Sequence, residues 1–360
     1  LRRLACPRGL LQRLARAVPG GSRAVSISAQ EMKERMKADL GPRNVADTTH
    51  DKREKRALRE RRMASDDPLQ PRVREVVACT SRREYDAGWE VYVSHEGAPH
   101  AALTNAALTL CAKARWIERA WGVWHTMPPG ERSVIDYSVM LEACARCLRP
   151  SDAEQLFRSM EEAGVEPNLI TYNSLLKVYA TTSQPERAQE VFQSIPREMF
   201  EAAGEKTRQA SYVTVMSAFA RGGDYASTYR LFMQMLEDGV RPGIMHFTTL
   251  LSACARGGDG KTADGVFASM LAHGILPDVP SYTILAACNV RNLERCRQIL
   301  SEVEGRGLQP SAHLQQHLLE AHVAAGDGRG ARELLGRMDG GGLRSLVKFR
   351  RLESAVGRLP

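Results

Sequence analysis

Cysteine and histidine offer the most obvious reactive chemistry in this chain of 360 residues. Cys144-Ala-Arg-Cys147 has the spacing of half a tetrahedral zinc site, in which two thiolates one helical turn apart share a metal. A complete site needs a second pair, and no further Cys-x-x-Cys or suitably spaced pair of histidines supplies one. Cys79, Cys111, Cys144 and Cys254 recur instead in step with a longer period, and Cys288 falls one place off it. A residue type in phase with the fold is expected to pack between helices, where cysteine behaves as a small apolar group with a reduced thiol.

Other reactive constellations are missing. The glycines of Arg-Gly-Gly-Asp at 221–224 and 256–259, and of MDGGGL from Met338, read as turns and a flexible end, not as a phosphate-cradling loop. The paired His-x-Glu and Pro-Cys-x-x-Cys motifs that a zinc deaminase requires do not occur. His246 is expected to pack or to line a groove. Neither catalysis, a metal, a cofactor nor a small-molecule substrate is expected of these residues.

Charge divides the chain unevenly. Residues 1–62 carry 17 Lys/Arg against 7 Asp/Glu, leaving 33 basic and 35 acidic residues for 63–360. The formal net charge of +8 therefore belongs to the N-terminal segment. Residues 1–30 contain six arginines and no acidic residue, with Leu10, Leu11, Leu14 and Val18 at helical spacing. That composition fits an organelle transit peptide, mitochondrial in preference to chloroplast because arginine outweighs serine. No methionine opens the chain, so an N-terminally incomplete sequence is expected. Residues 31–67 read as a charged connector, partly disordered, and 347–360 as a tail. No uninterrupted apolar run approaches the roughly 18 residues that a membrane span needs.

The elements that would position any site are set by a repeat. Tyr137, Tyr172, Tyr212, Phe247 and Tyr282 follow one another at steps of 35, 40, 35 and 35 residues. Gly-x-x-Pro keeps pace at Gly164/Pro167, Gly239/Pro242, Gly274/Pro277 and Gly307/Pro310. A third landmark, LFRSM from Leu156, LFMQM from Leu231 and VFASM from Val266, shares the phase. Each unit reads as two helices, the second closed by a left-handed glycine and a proline that prevents continuation. One hairpin cannot bury both apolar faces, so successive hairpins must stack. The units are 134–168, 169–208 with a five-residue insertion around FEAAGEK, 209–243 and 244–278, then a shorter 279–311. Weaker copies lie at 69–100, 101–133 and 312–346, making about eight repeats between residues 68 and 346.

A 35-residue hairpin bearing ITYNSLL (Ile170–Leu176) and GVEPN (Gly164–Asn168) resembles the pentatricopeptide repeat family. The tetratricopeptide repeat, with its 34-residue unit, fits the spacing less well. The resemblance implies an all-α fold, a right-handed α-solenoid of stacked helix-turn-helix repeats of 35 residues. It also implies one RNA base per repeat, chosen by the fifth and last residues and packed by the second.

Carried onto this chain, the base-reading residues are Asn105 with Ser133, Ser138 with Asn168, Thr248 with Asp278, and Thr283 with Ser311. The resemblance implies a pyrimidine for the first pair, adenine for the second and guanine for the third. Asn173 is the fifth residue of its unit, and the insertion leaves Arg208 as its nominal partner. Val213 and Gly243 depart from the pattern. Ile135, Ile170 and Met245 are the implied base-packing residues, whereas Ala210 and Pro280 suit that role poorly.

The thirteenth position is basic in five units: Lys113, Arg146, Arg221, Arg256 and Arg291. Eleven residues separate it from the second position, about 1,100° of helical rotation, so both lie near one face. These cations are candidates for phosphate contacts, and a helix C-terminus attracting cations through its dipole would produce the same row. Single-stranded organellar RNA is the partner that the resemblance implies, with a role in RNA processing, stability or translation. RNA-processing or ribosomal proteins would be further partners. The alternatives are a protein-interaction scaffold in an organellar ribosome or other large assembly, or the repeat portion of a longer RNA-processing enzyme.

Overall fold

The computed structural model describes residues 69–95, 97, 100–337 and 354–357. The expected address segment and connector, and most of the tail, lie outside these residues. Paired helices run throughout the described part. They are α1 (Gln70–Arg82) with α2 (Tyr85–Val93), α3 (Ala101–Ala114) with α4 (Ile117–Thr126), and α5 (Val134–Cys147) with α6 (Pro150–Glu162). Next come α7 (Leu169–Thr181) with α8 (Pro185–Ser194), the short α9 (Arg197–Ala202), and α10 (Glu205–Gly222) with α11 (Tyr225–Glu237). The array continues through α12 (Ile244–Gly257) with α13 (Gly260–Ala272), α14 (Val279–Cys288) with α15 (Leu293–Gly305), and α16 (Ala312–Ala324) with α17 (Gly328–Arg337). The leading helices stack in chain order, α1 on α3 on α5 on α7 on α10 on α12 on α14 on α16. Among the described residues this is an all-α solenoid of helical hairpins. No described helix is long and apolar enough to cross a membrane.

The recurring letters have identifiable local work. After α6, Gly164 takes φ 68°. The amide of Gly164 donates to Glu161 O at 3.0 Å and that of Val165 donates to Met160 O at 3.0 Å. This is a Schellman closure, which needs a left-handed residue after the helix and an apolar residue after that. The same pair of bonds closes α11 at Gly239/Val240, α13 at Gly274/Ile275 and α15 at Gly307/Leu308. The methionine of LFxxM accepts the longer bond in three of these four closures, at Met160, Met235 and Met270. It lies fully buried against the core.

The aromatic ruler marks the seam between hairpins. Tyr137, Tyr212, Phe247 and Tyr282 are at most 1% exposed. Each meets an aromatic side chain from the trailing helix before it: Trp124 on Tyr137 at 4.8 Å, Phe192 on Tyr212 at 4.9 Å, and Phe232 on Phe247 at 5.2 Å. Inclined rings at such separations gain about 0.5–1.5 kcal/mol beyond the area they bury.

The insertion does not form a loop. Pro196 ends α8, the short α9 follows, and Gly204 restarts the chain as N-cap of α10, which begins four residues ahead of the repeat boundary. Phe200 of α9 packs edge-on against Phe192 and Tyr212 at 6.0 and 5.8 Å, so the extra residues add to the seam. At the other end, Val356 is 2% exposed and packs in one apolar cluster with Leu319 of α16 and Ala331 of α17.

Candidate nucleic-acid interface

Ile135, Ile170 and Met245 stand at the second position of α5, α7 and α12 and are 62%, 59% and 58% exposed. Each is flanked in its own helix by residues that are buried or half-buried. Large apolar side chains left in solvent at one register of stacked helices form a row that no described residue covers. The leading helices place this row along one side of the stack, at their N-terminal ends.

Polar side chains surround the row. The last residue of a repeat is the N-cap of the next leading helix, a structural role that explains its chemistry independently of any ligand. Ser133 caps α5, Asn168 caps α7, Asp278 caps α14 and Ser311 caps α16, each side chain accepting the amide hydrogen three residues on. The fifth residue of the same repeat lies one helix back. Thr283 and Ser311 meet directly, Oγ1 to Oγ at 3.1 Å. Ser138 and Asn168 meet through Thr171, whose Oγ1 lies 3.3 Å from Ser138 Oγ and donates to Asn168 Oδ1 at 3.1 Å. Asn105 and Ser133 meet through Asp136.

In two further units the side chains hydrogen-bond elsewhere. Thr248 Oγ1 donates to Met245 O at 3.0 Å, and Asp278 Oδ1 accepts from Ser281 N and Ser281 Oγ at 2.9 and 2.6 Å, so each is held locally. Arg208 lies inside α10, not at its cap, because the insertion moves the helix start back to Gly204. Asn173 therefore has no capping partner, and its Nδ2 donates to Thr207 O at 3.3 Å. Its Oδ1 is buried without a hydrogen bond.

The sequence reading passed over the third residue of each repeat. Asp136, Thr171, Ser211, His246 and Ser281 all occupy it, and all are at most 5% exposed. A buried polar residue at constant phase, three places after Ser or Asn, is the signal of a capping box, which α5 and α7 both form. His246 performs this role where the cap is Gly243. Gly243 N donates to His246 Nδ1 at 3.0 Å, which leaves Nε2 to carry the proton toward Gln209 O at 3.2 Å. Burial lowers the His246 pKa below its ordinary 6.5.

The basic row divides in two. Arg146 Nε donates to Glu142 Oε1 at 2.7 Å, a carboxylate that also holds Lys177. Arg221 donates to the Ala180 carbonyl at 2.9 Å. Lys113, Arg256 and Arg291 are exposed, and Lys113 borders a cleft of about 430 Å³ with Asn105, Ser133, Ile135, Asp136 and Val77. Lys113, Arg146, Arg221 and Arg256 stand in the last turn of their helices, where the dipole favours a cation.

The cysteines at the recurring position are core residues, with Cys111, Cys144 and Cys254 at most 1% exposed, whereas Cys147 is half-buried. Burial pushes the thiols of Cys111, Cys144, Cys254 and Cys288 up to about 12, which keeps them protonated and poor nucleophiles.

Known proteins share this arrangement. Residues 131–182 match the family described as pentatricopeptide repeat domain, 170–200 the PPR repeat, and 212–340 the pentacotripeptide-repeat region of PRORP. The chain is 28% identical over 152 residues to the Arabidopsis thaliana pentatricopeptide repeat-containing protein At3g09650, chloroplastic, a match covering 41% of this chain and 19% of that protein. Another Arabidopsis thaliana relative, pentatricopeptide repeat-containing protein At4g14850, is 29% identical over 120 residues, covering 33% of this chain and 16% of its own length. This chain thus spans about a fifth of the length of these relatives. The crystal structure of maize PPR10 superposes with a TM-score of 0.54 at 21% identity, covering 91% of this chain and 46% of that one. The structure of PPR10 in complex with an 18-nt psaJ RNA element gives 0.51 at 18% identity, covering 97% and 53%. With the 35-residue register, the closures at Gly-x-x-Pro and these matches in agreement, the chain belongs to the pentatricopeptide repeat family.

Proposed function

We propose that the row of leading-helix N-termini binds single-stranded RNA, one base to a seam. The carrying observation is the exposure of Ile135, Ile170 and Met245 at one register, the first two beside the polar N-caps Ser133 and Asn168. An unstacked base offers a flat apolar face to such side chains and a hydrogen-bonding edge to the polar ones. Asp278 uses Oδ1 for its cap, which leaves Oδ2 to accept from the N1–H and amino group of guanine. Asn168 likewise spends Oδ1 on Thr171, which leaves its amide hydrogens for the ring-nitrogen acceptor of adenine. The seam of Val213 and Gly243 has no such side chain and interrupts the row, so the footprint is short.

On this reading the protein acts in an organelle, in RNA processing, stability or translation, by occupying an RNA segment or recruiting other proteins. The arginine-rich first 30 residues favour the mitochondrion, and the chloroplast is the alternative. Crosslinking and sequencing of bound RNA tests the reading. A defined site should be enriched, and binding should be lost when Ser138, Asn168, Thr248 and Asp278 are replaced together. Unaltered RNA binding by that quadruple variant would sink base reading by these residues. Co-purification in a stoichiometric complex without autonomous RNA binding would favour the scaffold reading.

A further inference from the structure

The cleft bordered by Asn105, Ser133 and Lys113 has a carboxylate beneath it. Asp136 is 5% exposed, and all three of its acceptor bonds go to the residues that face the cleft. Asn105 Nδ2 donates to Oδ1 at 3.0 Å. Ser133 N and Ser133 Oγ both donate to Oδ2, at 2.9 and 2.6 Å. A carboxylate accepts and does not donate, so these bonds settle the proton positions around it. The Asn105 amide must turn its NH₂ inward and its carbonyl away from Asp136. Ser133 has a single hydroxyl proton, and Asp136 takes it. What remains toward the cleft is Asn105 Oδ1, one Asn105 amide hydrogen, and a Ser133 oxygen that can only accept. The equivalent residues Thr171 and Ser281 carry hydroxyls that donate to their caps, so the carboxylate is peculiar to this seam.

We propose that Asp136 is a specificity-determining residue of this cleft, selecting a base with an exocyclic amino group and rejecting uracil. It acts by positioning, since it touches Asn105 and Ser133 and not the base. An amino group of cytosine, adenine or guanine can serve the two acceptors. Uracil alone among the RNA bases has none; when its N3–H meets Asn105 Oδ1, a flanking carbonyl faces the unprotonated side of Ser133, and two acceptors oppose one another. The inference rests on the RNA-binding reading above.

The test uses the full chain and two RNAs, an 18-nt oligouridine and the same RNA with one central cytidine, at low salt. The wild type should bind the cytidine-containing RNA about tenfold more tightly, the order of one well-made base contact. Asp136→Asn, which can donate, should lose that preference while keeping its affinity for oligouridine and its melting temperature. Should Asp136→Asn fold poorly, Asp136→Thr installs the residue found at position 171 and should show the same loss of preference. Equal affinity of the wild type for both RNAs, or a cytidine preference that survives in a folded Asp136 variant, overturns the role of Asp136 alone. Failure to bind either RNA overturns the RNA-binding reading and this inference with it.

Discussion

The ring of Phe267 on α13 lies 5.2 Å from that of Tyr282 on α14, joining the trailing helix of one hairpin to the leading helix of the next. Both are at most 3% exposed. In a stacked array each hairpin is stabilised by its neighbours, so this contact is a coupling term between repeats as well as a core contact. Phe267→Ala should cost about 3–5 kcal/mol, the usual loss for a buried ring. Amide hydrogen exchange should locate the damage: α14 to α17 lose protection while α3 to α7 keep theirs. Uniform deprotection along the array would contradict nearest-neighbour coupling.

Leu148 closes α5 in the left-handed conformation, φ 57°, with its side chain 58% exposed. The equivalent residues after α10 and α12 are Gly223 and Gly258. A non-glycine residue pays about 1–2 kcal/mol there, and glycine returns about 0.4–1 kcal/mol of that through the freer unfolded chain. Leu148→Gly should therefore stabilise the protein by about 0.5–1 kcal/mol in a denaturant titration. Gly258→Ala should do the opposite.

His246 is neutral in the folded state, with Nδ1 accepting from Gly243 and burial holding its pKa below 6.5. Below pH 6.5 the unfolded chain takes up a proton that the folded chain refuses. Stability from this group is therefore full above pH 6.5 and is lost as pH falls toward the lowered folded pKa. His246→Thr, the residue present at 171, should flatten that part of the stability–pH curve. An unchanged pH dependence in the variant would show that His246 does not contribute to it.

The two groups within the basic row separate phosphate contact from a purely helical role. Replacing Lys113, Arg256 and Arg291 together by glutamine should reduce the log–log salt slope of RNA binding by about 2, at roughly 0.7 per contact for single strands. Arg146→Gln and Arg221→Gln should change the slope less, because Glu142 and the Ala180 carbonyl already hold those guanidinium groups. An unchanged slope in both sets would mean that the row serves the helix ends alone.

The hairpins were legible because each landmark is tied to backbone geometry. Glycine is needed at the left-handed position, methionine and the residue after glycine clasp across it, and the aromatic fills the seam. The turns at Arg83, Arg115, Leu148 and Ser183 were less legible, since these residues adopt positive φ without glycine to announce it. The helix at 197–202 was invisible to a register argument, which sees five extra residues only as an offset. Its presence depends on Phe200 finding Phe192 and Tyr212, a contact with no periodic signature. The partners of the base-reading residues were the hardest to foresee. Asp136 and Thr171 belong to the next repeat, and only the stacking of leading helices brings them beneath the preceding pair.

Capping has a consequence for how such a protein could change its target. Ser133, Asn168, Asp278 and Ser311 each start a helix while facing the proposed groove. Residues that start helices well form a short vocabulary, chiefly serine, threonine, asparagine, aspartate and glycine. A substitution outside it would alter the nucleotide preference and weaken the helix together. Retargeting by single mutations is thus confined to a small alphabet that helix initiation sets in advance, and glycine is its silent character.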